Sequence, residues 1–233
     1  MAMEIALHYE EKGAGNPLVL LHGNGEDGSY FKSQIEFFSE SYRVIAVDTR
    51  GHGRSPRGDA PFTIAQFAED LAGFMDGLGL RRAIILGFSD GANIAMRFAL
   101  NCPERVRALV LNGGNLDPSG IKRSVQVPIE LGYRLTKNFA KRSAEAKRHM
   151  ELLGLMVNEP NIKPEELGAI RAPTLVLAGT RDMVKESHTR LIARSIPGAK
   201  LSIIEGDHFI AGKKPERFNV AVGEFLKEIE ENC

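Results

Sequence analysis

The 233-residue sequence is poor in cysteine, with Cys102 and Cys233 alone. Two thiols cannot build a disulfide framework, so a reducing, cytoplasmic compartment is expected, with Cys233 at a frayed terminus. No charge of one sign is in excess: Lys plus Arg and Asp plus Glu both number 30, for a formal net charge of +0. No net field advertises nucleic acid or an anionic membrane, and neither is expected as a partner. No hydrophobic run approaches the roughly 18 residues of a membrane span. The opening Met1-Ala2-Met3-Glu4 has no basic segment followed by an apolar one, so no signal peptide is expected. Repeats and low-complexity tracts are also missing. What remains is an ordinary globular composition, 43% hydrophobic and 26% charged, at a length common for a single α/β domain.

Short apolar runs alternate with helical patterns along most of the chain. Glu4 to Glu10 alternates polar and apolar, with Ile5, Leu7 and Tyr9 on one face, which predicts an antiparallel edge strand. Leu18 to Leu21, Val44 to Val47, Ala83 to Leu86, Val106 to Leu111 and Pro173 to Ala178 read as strands, and Lys200 to Ile204 as the last. Helices are predicted at Tyr30 to Phe38, after Thr63, at Ala92 to Leu100, near Glu186 to Ser195 and from about Pro215 to Glu230. Strands separated by helices imply a mostly parallel sheet covered on both faces. The alternation stops between about Leu116 and Glu166, where the sequence is mostly amphipathic helix, notably Lys141 to Val157. The expected organisation is a core of residues 1–115 and 167–233 with a short helical cap at 116–166, too short for an independent domain.

Chemistry is suggested first by Gly87-Phe88-Ser89-Asp90-Gly91, at the switch from the third buried strand to an Ala-rich helix. Glycines two before and two after make room for a turn sharp enough to lift the Ser89 hydroxyl above the sheet end. A serine hydroxyl then needs a base, itself oriented by an acid. Six histidines compete. His8 lies on the edge strand, and His22 and His52 sit in glycine loops where holding backbone is the expected task. His149 is expected in solvent, and His188 is expected to point away. His208, in Glu205-Gly206-Asp207-His208-Phe209, directly follows the last strand, and ligands gather at the carboxyl ends of parallel strands. The acid should also follow a strand, which selects Asp182 in Gly179-Thr180-Arg181-Asp182. Asp117 is its main rival, Asp207 would have to fold back on the histidine, and Asp182 has an alternative use as a helix cap. Backbone N–H donors for an oxyanion are expected from Asp90, at the helix start, and from Asn24, in the loop His22-Gly23-Asn24-Gly25.

These motifs, with Asp48-Thr49-Arg50-Gly51-His52-Gly53-Arg54-Ser55, resemble in content and order the serine-nucleophile branch of the α/β-hydrolase superfamily over nearly the whole chain. The resemblance implies an eight-strand sheet, of which this chain lacks the first strand, so seven or eight are expected. A serine at position 89 excludes the branches that place an aspartate there. Ser-Asp-Gly at the elbow is similar to valacyclovirase-like amino-ester hydrolases. Independently, the Asp90 carboxylate beside the nucleophile could hold a substrate ammonium group, or it could cap the elbow helix and bond neighbouring loops.

The expected activity is hydrolysis of a small-molecule carboxylic ester by Ser89, His208 and Asp182 through an acyl-enzyme, with no metal or organic cofactor. Leu131, Tyr133, Leu135, Met150, Leu153 and Met156 are the candidate pocket lining from the cap, or ordinary packing at helical spacing. The same residues would also serve a C–C bond, a lactone, an amide or perhydrolysis, or a slow-turnover receptor-like protein. The sequence is silent on oligomeric state.

Overall fold

The computed structural model describes residues 5–140 and 142–231. Seven strands, β1 (Tyr9–Lys12), β2 (Asn16–Leu21), β3 (Tyr42–Val47), β4 (Ala83–Phe88), β5 (Val106–Asn112), β6 (Thr174–Gly179) and β7 (Lys200–Ile204), form one sheet in the order β1-β3-β2-β4-β5-β6-β7. All neighbours are parallel except β1, which runs antiparallel to β3.

The unbroken apolar strands follow from burial on both faces. Within β2, Val19 and Leu21 join one core layer while Leu18 and Leu20 join the other. The first layer is completed by α2 (Ile64–Gly77), α3 (Asp90–Asn101) and α6 (Glu186–Ser195); the second by α1 (Lys32–Phe38), α7 (Ile210–Lys213) and α8 (Pro215–Glu231). Residues such as Leu71, Phe98 and Phe218, at most 2% exposed, each contribute about 1.5–3 kcal/mol relative to solvent exposure.

The edge strand begins later than its polar–apolar alternation predicts. Ile5 and Leu7 are buried, but pairing with β3 starts only at Tyr9, opposite Val47, and Glu4 lies outside the described residues, as does Cys233. Just before it, the His8 carbonyl accepts the Asp48 N–H at 2.9 Å, where β3 has already ended.

Two further helices, α4 (Arg123–Lys137) and α5 (Ala144–Asn158), lie between β5 and β6. Ser143 starts α5 by accepting the Ala146 N–H at 3.1 Å, so the helix begins after the Lys141 expected for it, which lies outside the described residues. Tyr133 of α4 packs against Gly154 of α5, and Leu153 against Gly132, which joins the pair. Among the described residues no helix is long and apolar enough to cross a membrane.

The sheet order places the site. From β2 the chain moves outward to β3, then jumps back past β2 to β4. The loops after β2 and β4 therefore leave the sheet side by side, which makes a crevice at the carboxyl ends of the strands.

Candidate active site

Ser89 sits in that crevice with φ 53° and ψ −118°, a conformation costly for a residue with a Cβ. Its surroundings impose it. Ser89 N–H donates to Asn112 O on β5 at 2.8 Å, while Ser89 O accepts the N–H groups of Ala92 and Asn93 and starts α3. The flanking glycines are sterically required: a Cβ on Gly87 would lie 2.2 Å from Gly91 O, and one on Gly91 only 1.9 Å from Leu21 O.

The structure brings together the three side chains that the strand ends suggested. His208 Nε2 lies 3.0 Å from Ser89 Oγ, and His208 Nδ1 lies 2.7 Å from Asp182 Oδ1. A carboxylate oxygen can only accept, so the proton belongs on Nδ1, and Nε2 is left to accept from the serine hydroxyl. Asp182 and His208 are buried, at 3% and 4% exposure. Asp182 does not cap the following helix, which starts after Lys185; its Oδ1 instead also accepts the Val184 N–H at 2.9 Å, which holds the carboxylate in place for the imidazole. The rivals are occupied elsewhere. Asp117 accepts the Ser119 N–H at 2.8 Å, and Asp207 pairs with Lys213 Nζ at 2.5 Å.

Gly113, which sequence reasoning passed over, is the floor beneath the imidazole. With φ at +64°, it stands where a Cβ would come within 2.7 Å of His208 Cε1. Its signal was available, since Asn112-Gly113-Gly114-Asn115 directly follows a strand.

His22 holds backbone, as expected: Nδ1–H donates to Gly23 O at 2.7 Å, Nε2 accepts the Thr49 N–H at 3.0 Å, and burial favours its neutral form. His52 packs beside it at 5.1 Å, and burial, with His22 adding to it, lowers its pKa to about 4. His188 does not point away, contrary to expectation. It is buried, and its Nε2 accepts the Leu116 N–H at 2.9 Å, because α6 turns that face toward the chain leaving β5. Burial lowers its pKa, in keeping with the neutral acceptor.

Above Ser89 the enclosed space is small, about 10 Å³, at most the room for one water. Asn24, Asp90, Asn115, Met156, Glu159 and Met183 are among its walls. Met156 is the one residue of the expected lining to reach it. Leu131 and Leu135 face solvent, at 54% and 65% exposure, and Tyr133 and Leu153 are spent in α4–α5 packing. Met150 is likewise not among the walls, lying more than a helical turn before Met156 on α5. Helical periodicity gives the faces of an amphipathic helix and does not say which neighbour covers them.

Asp90 is tied into the loops. Its Oδ2 accepts from Asn24 Nδ2 at 2.9 Å and its Oδ1 from Asn93 Nδ2 at 3.2 Å. Burial pushes its carboxyl above the usual range, and the two asparagine hydrogen bonds oppose that rise. Glu159 is raised too, by burial, with Arg97 opposing and the Asp90 charge adding to the rise. Asn24 Nδ2 also donates to Leu152 O of α5 at 2.9 Å, and Arg57 binds Glu151 through Nε at 3.0 Å and Nη2 at 2.8 Å. These contacts hold α5 against the site. Among the described residues no group of three or more His, Cys, Asp and Glu is placed to hold a metal ion.

The sequence model of the family described as "alpha/beta hydrolase fold" matches residues 16–131. A candidate carbamate hydrolase, RutD, from Azorhizobium caulinodans is 30% identical, with 97% of this chain and 96% of the relative aligned. A 2-hydroxy-6-oxononadienedioate/2-hydroxy-6-oxononatrienedioate hydrolase from Burkholderia vietnamiensis is 32% identical over 92% of this chain and 76% of its own. A solved thermophilic esterase from Thermogutta terrifontis superposes with a TM-score of 0.80 at 26% identity, covering 97% of this chain and 94% of that one. With this sheet, this elbow and these relatives, the chain belongs to the α/β-hydrolase fold family, and it is a hydrolase.

Proposed function

We propose that the protein is a serine hydrolase that cleaves a small carboxylic ester through an acyl-enzyme. The observation that carries this reading is the continuous chain Ser89 Oγ, His208 Nε2, His208 Nδ1, Asp182 Oδ1, with links of 3.0 and 2.7 Å. Ser89 Oγ attacks the carbonyl as its proton passes to His208 Nε2, and Asp182 stabilises the imidazolium that forms. The N–H groups of Asn24 and Asp90, both at the walls of the space above Ser89, receive the oxyanion. His208 then returns its proton to the leaving alcohol, and a water activated by the same Nε2 releases the acid. Residues 116–166 act as a cap over this site, and the cap must shift to admit substrate, since the present space holds at most one water.

Asp90 is assigned a substrate contact as well as its two asparagine partners. With Glu159 it gives the space two carboxyl groups, which suit a substrate ammonium group near the scissile bond. In Asp90→Asn, hydrolysis of amino-acid esters should fall much more than that of simple acyl esters; equal losses leave Asp90 a loop tie alone.

The deciding experiment is p-nitrophenyl acetate hydrolysis by wild type and Ser89→Ala, with an expected loss of at least about 10³-fold. Equal slow rates in both would remove the ester reading. A C–C bond is the second reading, favoured by the relative named for 2-hydroxy-6-oxononadienedioate hydrolysis. It is supported if a vinylogous 1,5-diketone is turned over faster than every ester in a panel.

A further inference from the structure

Glu26 closes the loop after β2, and none of the steps above uses it. Its Oε2 accepts the Gly23 N–H at 3.2 Å, and its own N–H donates to Gly23 O at 3.3 Å. The side chain thus folds back over the residue preceding Asn24, whose N–H is assigned to the oxyanion. A Cβ on Gly23 would lie 3.0 Å from Glu26 Oε2 and 3.0 Å from Phe88 Cε1, so the carboxylate and this ring meet across the glycine. Phe88 in turn packs on the His208 imidazole at 4.8 Å between ring centroids and stacks on Tyr30 at 4.5 Å. Glu26 is therefore a second acid near the imidazole, reached around Phe88.

We propose that Glu26 is a positioning residue of the site: its carboxylate fixes the Gly23–Asn24 backbone and favours the imidazolium that His208 becomes when it takes the serine proton. The titratable groups facing it are few. Asp27 is on its own loop, Tyr30 is on the following helical turn, and His208 is on the loop after β7. Burial raises the Glu26 pKa to about 7, with the Gly23 hydrogen bond and the His208 charge acting against the rise and Asp27 adding to it. Burial and the Glu26 charge both raise the Tyr30 phenol, so it stays neutral while Glu26 titrates. The coupling is reciprocal: if charge on His208 favours ionised Glu26, ionised Glu26 favours charge on His208. Near neutral pH a falling pH then removes the anion that supports the loop.

The proposal rests on the triad reading, and its test includes an arm that needs no turnover. In p-nitrophenyl acetate hydrolysis, Glu26→Gln should lower kcat about 3- to 10-fold with KM little changed. The acid limb of kcat/KM should move about half a unit to one unit to lower pH and flatten to a single proton. Glu26→Asp, which keeps the charge, should bring the limb back toward wild type. A limb that stays in place in Glu26→Gln, or that Glu26→Asp leaves where Glu26→Gln put it, overturns the proposal whatever the loss in rate. The second arm follows the Glu26 carboxyl carbon by NMR in the wild-type protein and in His208→Ala. Titration near 7, moving upward in His208→Ala, supports the coupling even if no ester is turned over. Titration in the ordinary range of about 4–5, or no change in His208→Ala, overturns it.

Discussion

Two loops at the carboxyl ends of strands each bury a side chain held by a carboxylate, and the two pairs differ in what they leave free. After β3, Arg50 is 1% exposed and grips Asp70 of α2 with both ends of its fork, Nε to Oδ2 and Nη2 to Oδ1, each at 2.7 Å. Its Nη1 donates to Arg57 O at 3.0 Å, which ties down the loop that follows. After β7, His208 and Asp182 are just as buried, but the pair uses one ring nitrogen and presents the other to Ser89. Equal burial therefore says little about role. A guanidinium with a fixed charge suits a permanent tie, whereas an imidazole that can gain and lose a proton suits a site where charge appears and disappears.

That contrast is tested most severely at Asp182. Asp182→Asn keeps the shape but removes the carboxylate charge that stabilises the His208 imidazolium, and an amide NH2 turned to the shared Oδ1 position would favour the wrong tautomer. The expected loss in kcat is about 10⁴-fold, with thermal unfolding nearly unchanged. A loss of stability with activity per folded molecule intact would place the pair with Arg50–Asp70 instead. The reverse is expected at Asp70→Ala, which removes the carboxylate gripped by a buried guanidinium. Stability should fall by about 3–5 kcal/mol in a denaturant titration, while the folded fraction keeps its specific activity. A smaller effect comes next, at the half-buried Arg57–Glu151 pair that holds α5. Arg57→Ala should change stability by about 1 kcal/mol or less and alter KM a few-fold. Its activity shows whether α5 must loosen during turnover: a rise in kcat would mark opening as the slow step. Smallest of all is Leu135→Ser on the exposed face of α4, expected within about 0.5 kcal/mol of wild type by thermal melt, with no change in KM. A change in KM there would return Leu135 to the substrate path that its exposure denies it.

The parts of this site legible in the sequence share one property. Ser89, Asp182 and His208 each stand within a few residues of the end of an apolar strand, and a parallel sheet collects those ends on one side. Order and spacing thus carried positional information without any knowledge of contacts. His188 shows where that logic fails. Nothing local distinguishes it from a solvated helix residue, and its role as acceptor for Leu116 N–H depends on a segment 72 residues away. The walls above Ser89 fail for the same reason: Met156 and Tyr133 have the same apolar character, and the crossing of α4 over α5 decides which one sees the nucleophile.

Glu26 is the sharpest case. In the sequence it is an ordinary acid in a glycine-rich turn, a group that water would solvate and leave unremarkable. Its unusual proton affinity arises only when β2, β4 and β7 bring Gly23, Phe88 and His208 around it and take that water away. By itself the sequence determined the strand–helix alternation, the sharp glycine-flanked turn at Ser89 and the strand ends from which its partners come, because steric and periodic rules act over a few residues. The tertiary structure decided which helix faces close the site, which carboxyls lose their solvent and where His188 points, because desolvation and packing depend on groups that meet only after the chain has folded.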